Sequence, residues 1–96
     1  GGVGCISVTA NVAPKMCAEL HNAWRDRDLE TFNVLRDRLM PLHDAMFCEN
    51  SPAPAKYAAH LIEKCADPSV RPPLGDLTEG GKQIIRDAMV SAGILN

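Results

Sequence analysis

Apolar positions along the chain recur in two rhythms, and the change from one to the other divides it. Val3, Cys5, Ile6 and Val8 crowd apolar and β-branched side chains together, with glycines before them and small polar residues after them. A strand apolar on both sides suits a parallel sheet covered on both faces. From Pro14 onward the apolar spacing is three and four, the rhythm of amphipathic helices. Met16, Leu20 and Trp24, with Cys17 and Ala23 alongside, predict a helix from about Pro14 to about Arg25 that turns Lys15, Glu19 and Asn22 to water. Thr9-Ala10-Asn11 supplies turn and cap chemistry ahead of it, and Pro14 suits a first helical turn. Asp28 can cap a second helix striped by Leu29, Phe32, Leu35, Leu39 and Leu42. Pro41 falls inside that stripe and predicts a kink between Asp37 and Pro41, with helix resuming through His43, Met46 and Phe47.

Glu49 to Pro54 reads as a loop, after which Pro52 or Pro54 opens a third helix. Its apolar face is Ala55, Ala58, Leu61, Ile62 and Cys65, and it ends before Asp67-Pro68. Val70 to Gly75, with adjacent prolines, is an extended connector. Asp76-x-x-Glu79 and Thr78-x-x-Gly81 offer two overlapping starts for a last helix that runs to about Ala92. Ile85 and Met89 form its apolar pair, Gly93 suits the left-handed position past its end, and Ile94-Leu95 can tuck back.

No second strand is found to pair with the first, and buried unpaired backbone groups are costly. Either a helical domain swallows the segment in irregular form, or it is the last strand of a sheet whose other members lie outside these residues. The second reading is favoured, and an opening of two glycines without Met fits an excised piece. The pattern as a whole predicts a helical subdomain attached to the final strand of a larger α/β protein.

Composition narrows the partners. The 96 residues are 46% hydrophobic and 23% charged, as in ordinary globular domains, with a formal net charge of -2. Acids and bases are interspersed, so there is no basic stripe for nucleic acid and no cationic face for lipid. No run approaches the roughly 18 apolar residues of a membrane span. Cys5, Cys17, Cys48 and Cys65 lie far apart with no C-x-x-C pair, which argues against zinc. Three of them sit in periodic patterns, where a thiol packs as a small apolar group, so reduced cytosolic thiols are expected.

Candidate chemistry is sparse. There is no Ser/His/Asp set, paired-carboxylate motif, P-loop or H-E-x-x-H. Gly1-Gly2-Val3-Gly4 precedes the strand where a dinucleotide loop would follow one, so it reads as flexible strand entry. His21 and His60 read as helix surface residues, and His43 is placed to bond a carbonyl freed by the kink. An aldolase-type lysine must be desolvated to lose its proton. Lys56 near a helix start meets no such condition and reads as solvated or ion-paired, and Lys15, Lys64 and Lys82 also fall on predicted helices.

The strings themselves add more. Gly4-Cys5-Ile6-Ser7-Val8-Thr9-Ala10-Asn11-Val12-Ala13-Pro14, Arg38-Leu39-Met40-Pro41-Leu42-His43 and Ser51-Pro52-Ala53-Pro54-Ala55-Lys56-Tyr57-Ala58 resemble, in order and spacing, the carboxy-terminal third of the dihydrodipicolinate synthase (4-hydroxy-tetrahydrodipicolinate synthase) family. Arg71-Pro72-Pro73-Leu74, Arg86-Asp87-Ala88-Met89 and Ala92-Gly93-Ile94-Leu95 look like that family's ending. The S-V-T-A-N-V-A-P string favours it over the related sialic-acid and keto-sugar aldolases. Two departures, Glu49-Asn50-Ser51-Pro52 where the family often has Glu-Pro-Asn-Pro and Pro73 where leucine is usual, bear on the branch of the family.

The resemblance implies a mostly α fold class, the last β/α unit of a TIM (β/α)8 barrel plus a carboxy-terminal helical subdomain. Residues 1–27 would be the final barrel strand and its helix, and residues 28–96 the helical subdomain. It implies a cytoplasmic, homotetrameric lyase that condenses pyruvate with aspartate semialdehyde through a lysine Schiff base, without cofactor or metal, in lysine and diaminopimelate biosynthesis. The Schiff-base lysine and the tyrosine relay of the family match no residue here, so no catalytic residue is expected in this chain, which is expected to be inactive alone. Ile6 matches a family residue whose backbone carbonyl faces the pyruvate site. A rival reading is a non-enzymatic helical interaction module, motivated by four apolar helix faces and the lack of a complete catalytic set. A piece of a related pyruvate-dependent aldolase is a further alternative.

Overall fold

Each helix starts where the local chemistry can satisfy free backbone N–H groups. The computed structural model describes residues 1–96 and contains a 3-10 turn, Thr9–Asn11, followed by α1 (Pro14–Arg25), α2 (Leu29–Ala45), α3 (Ala53–Leu61) and α4 (Glu79–Ser91). Pro14 opens α1, where its missing N–H removes one of the orphan donors. The Asp28 carboxylate caps α2 by accepting from Thr31 N at 3.1 Å. That bond holds the Asp28 carboxyl below its usual range. Its contribution is therefore present above the ordinary carboxylate pKa and is lost as pH falls through the depressed value.

Of the two possible starts for α4, the structure uses Thr78. Its hydroxyl accepts from Gly81 N at 3.0 Å. A complete capping box needs a Glu or Gln at the Gly81 position to reach back to the cap, and glycine has nothing to reach with. Glu49, from the loop after α2, supplies the missing carboxylate: Thr78 N donates to it at 3.1 Å, and the Thr78 hydroxyl donates to its other oxygen. A Cβ on residue 81 would stand 2.8 Å from the Glu49 carboxyl carbon, so a larger residue would push that flexible side chain aside and loosen its bonds to Thr78.

Three of the helices end alike. A residue in the left-handed region follows the cap: Arg27 (φ 60) after α1, Glu63 (φ 60) after α3 and Gly93 (φ 77) after α4. Behind each, two bonds close the end. Asp28 N donates to Ala23 O and Arg27 N to Trp24 O; Lys64 N to Ala59 O and Glu63 N to His60 O; Ile94 N to Met89 O and Gly93 N to Val90 O. This is the Schellman arrangement, and only the last instance uses the residue suited to it. Here α3 departs from the sequence reading. The apolar stripe suggested helix as far as Cys65, but α3 stops at Leu61, so Lys64 and Cys65 lie outside it.

In α2, helix runs through Pro41 and stops at Ala45, short of Phe47, to which the apolar pattern had extended it. Phe47 is exposed. The core lies between α2 and α4: Leu39, Leu42, Met46, Ile85 and Met89 are fully buried, with Ala92 and Ala58 closing the ends. α1 packs on α2, α3 packs on α4, and the 3-10 turn touches α1 and α3. Trp24 does not share in this core. It is 62% exposed and packs against Phe32, ring centres 5.2 Å apart, so α1 buries Cys17 and Ala23 instead.

The expected strand is absent as a paired element. Residues 1–7 make no backbone hydrogen bond, and Val3 and Ile6 are fully exposed. Val8 already has helical angles as the cap of the 3-10 turn. A strand exists only by pairing, and no other segment of the chain is extended beside it.

Gly93→Ala is expected to lower stability by about 1–2 kcal/mol, because alanine is strained at that φ and its Cβ would meet the Arg38 guanidinium at 2.8 Å. Glu63→Gly is expected to raise it by up to about 1 kcal/mol, relieving the same strain. Urea unfolding of the two variants measures both signs. Thiol labelling checks the packing: exposed Cys5 is expected to react first, and Cys17, buried against the core, only as the chain unfolds. Equal rates for the two would contradict the placement of α1.

Candidate functional site

The residue singled out by sequence, Ile6, stands immediately before the first ordered turn. Its side chain is unburied and its carbonyl accepts no hydrogen bond from the chain. The turn after it is tightly made: Ala10 N donates to Ser7 Oγ at 3.2 Å, and Asn11 bonds Val8 O through both its backbone N (3.1 Å) and Nδ2 (3.0 Å). Thr9 O accepts from Val12 N and Ala13 N. The Thr9 side chain is buried, and its Oγ1 lies 2.6 Å from Nδ1 of His43 on α2. His43 therefore meets a hydroxyl at the head of the chain, not a carbonyl freed by Pro41. The adjacency of His43 and Pro41 suggested the local partner; only the tertiary fold reveals the distant one.

The lysines are spread over α1, α3, α4 and the turn after α3. Lys15 on α1 stands 3.8 Å from Glu19, Lys56 on α3 donates to Ser69 O, and Lys64 is exposed beyond the end of α3. Lys82 on α4 contacts Glu79 at 2.7 Å, and that hydrogen bond pushes its ammonium above the ordinary lysine range. A nucleophilic amine needs the opposite shift. The thiols are no better suited: burial raises Cys17, and burial followed by the Glu49 charge raises Cys48, so both disfavour the thiolate. No group of three His, Cys, Asp or Glu side chains is arranged to hold a metal ion.

Two clefts accompany these groups. One, of about 670 Å³, lies beside the amino-terminal segment and is bounded by Val3, Cys5, Leu20, Trp24 and Phe32. It is open and mostly apolar, and it gathers the side chains that the sequence pattern assigned to burial. The other, of about 330 Å³, lies between α3 and the start of α4, with Tyr57, His60, Asp67, Asp76 and Lys82 around it. Arg86 covers the Tyr57 ring at 5.6 Å. Its charges are of both signs and largely satisfied locally: His60 Nδ1 is 3.0 Å from Cys65 O, Asp67 accepts from Ser69, and Lys82 is held by Glu79. Beside Ile6 the chain thus presents an unbonded carbonyl and an open, mostly apolar cleft that no lysine lines.

Residues 1–92 match the dihydrodipicolinate synthetase family. Among curated relatives, the 4-hydroxy-tetrahydrodipicolinate synthase of Acidiphilium cryptum is 54% identical over 99% of this chain and 32% of its own length. That of Rhodospirillum centenum is 52% identical over 99% of this chain and again 32% of its own. Among solved structures, a monomeric dihydrodipicolinate synthase variant superimposes with a TM-score of 0.91 at 35% identity, covering 99% of this chain and 31% of that one. The chloride-inhibited dihydrodipicolinate synthase from Acinetobacter baumannii, complexed with pyruvate, gives 0.88 at 37% identity, covering 99% and 32%. The chain spans about a third of the length of the relatives it matches. Its mostly helical fold is that of the carboxy-terminal part of their barrels, which accounts for the unpaired segment at residues 1–7. By sequence and by fold, the chain belongs to the dihydrodipicolinate synthetase family.

Proposed function

We propose that this chain is the carboxy-terminal part of a lyase that condenses pyruvate with aspartate semialdehyde through a lysine Schiff base, on the route to lysine and diaminopimelate. The observation that carries the reading is the match to synthases over nearly the whole chain, combined with coverage of only a third of their length. Residues 1–27 then supply the last barrel strand and its helix, and residues 28–96 a helical subdomain. The full protein is a cytoplasmic homotetramer.

Three features of the chain support the reading. Residues 1–7 carry the apolar Val3, Cys5 and Ile6 and make no backbone hydrogen bond, as a strand segment does when its neighbours belong to another part of the protein. The apolar cleft of Leu20, Trp24 and Phe32 flanks them and offers that part a surface. The Ile6 carbonyl is free, and sites in barrel enzymes open at the carboxyl ends of the strands. There it can accept a hydrogen bond from a donor at the site such as the iminium N–H, because pyruvate itself has no N–H or O–H to give, and it forms no covalent bond to the substrate. Iminium formation requires an amine to attack the ketone carbon with loss of water, and proton relay requires a titratable group beside it. No lysine lines the cleft beside the amino-terminal segment, so on this reading another part of the full protein supplies both groups, and the chain alone is inactive.

Borohydride trapping tests the assignment. Incubation of the 96-residue chain with pyruvate, followed by reduction and mass spectrometry, is expected to leave every lysine unmodified, whereas the full-length protein acquires one stoichiometric adduct outside residues 1–96. A single adduct at Lys15, Lys56, Lys64 or Lys82, with turnover lost on its replacement by alanine, would overturn the reading.

A further inference from the structure

We propose that Thr9 and His43 are positioning residues for the Ile6 carbonyl, and that through this pair the carboxy-terminal helices set affinity for pyruvate; the inference rests on the pyruvate-condensing reading above. Nothing within the chain holds Ile6 directly: it is 106% exposed and its backbone is unbonded. Three residues later Thr9 is only 2% exposed. At about 3.5 Å per residue, the Ile6 carbonyl is tethered within about 10 Å of that fixed point. The turn between them is closed by Ser7 Oγ, Val8 O and Thr9 O, each accepting from the next few residues, so Ser7 to Ala13 moves as one body.

A single side-chain hydrogen bond ties that body to another helix, Thr9 Oγ1 to His43 Nδ1 at 2.6 Å. Valine has the same shape as threonine and would fill the buried position without a polar atom to satisfy. The hydroxyl there is accounted for by the imidazole that meets it. His43 is anchored in turn, since it follows fully buried Leu42 on α2, the helix packed on α4. Displacement of α2 therefore reaches the turn, and through three residues of chain it reaches the carbonyl.

The full-length protein provides the test, with pyruvate as the varied substrate and thermal unfolding measured in parallel. Thr9→Val and His43→Leu are each expected to raise the KM for pyruvate about tenfold, the effect of one lost hydrogen bond, while kcat falls by less. The double variant is expected to be no worse than either single one, because both remove the same bond. Thr9→Ser keeps the hydroxyl, and His43→Asn keeps a polar atom near the Nδ1 position, so each is expected to recover most of the lost affinity. If Thr9→Val does not fold, the His43 pair carries the comparison. An active wild-type protein whose Thr9→Val and His43→Leu variants lose melting temperature but keep KM would overturn the inference alone, as would effects that multiply in the double variant. A wild-type full-length protein that does not turn over pyruvate would reject the underlying reading instead.

Discussion

The contact between α2 and α4 is the one the other elements depend on. Leu39 and Leu42 on one helix, Met46 just past its end, and Ile85 and Met89 on the other are fully buried, and replacing any of them by alanine costs about 2–5 kcal/mol in a site of this kind. The carboxy-terminal end of α2 also carries His43, and the loop just beyond it carries Glu49. One packed ridge therefore fixes the head of the chain through Thr9 and the start of α4 through Thr78. The exposed ion pairs, Lys15 with Glu19 and Arg25 with Asp26 among them, add little beside it.

Much of this was legible in the residues. The start and end of α1, the Asp28 cap and the choice of four helices follow from apolar spacing and capping chemistry, which are local properties. The end of α3 was not legible, because the chain turns back at Glu63, a residue that carries no preference for the left-handed region, while Ile62 and Cys65 continue the apolar rhythm past it. Trp24 misled for a related reason. Its periodicity marks it as covered, but in the fold it is 62% exposed and packs on Phe32 alone among the aromatic rings. Thr9–His43 and Glu49–Thr78 join segments about thirty residues apart, and no window of sequence contains both partners.

The same division holds for the candidate site. Spacing gave no self-contained catalytic set; in the structure the hydrogen bond to Glu79 pushes Lys82 above the ordinary lysine range, and burial disfavours the thiolates of Cys17 and Cys48. Ile6 was identified by resemblance alone, since an isoleucine with a free carbonyl has no signature in composition or period. What the fold adds is how the residues behind it are held.

Glu49 and Gly81 carry a consequence for how such a chain can change. The carboxylate occupies the space that any side chain at 81 would need, and glycine at 81 leaves the helix start dependent on that carboxylate. A side chain at 81 would displace the carboxylate from Thr78, and loss of Glu49 would leave the Thr78 hydroxyl as the remaining side-chain cap. Loss of Glu49 frees residue 81 to become Glu or Gln, which would rebuild the cap from within the helix itself. The two positions are in effect alternative ways of closing one helix start, by a carboxylate lent from a neighbouring loop or by one carried on the helix itself.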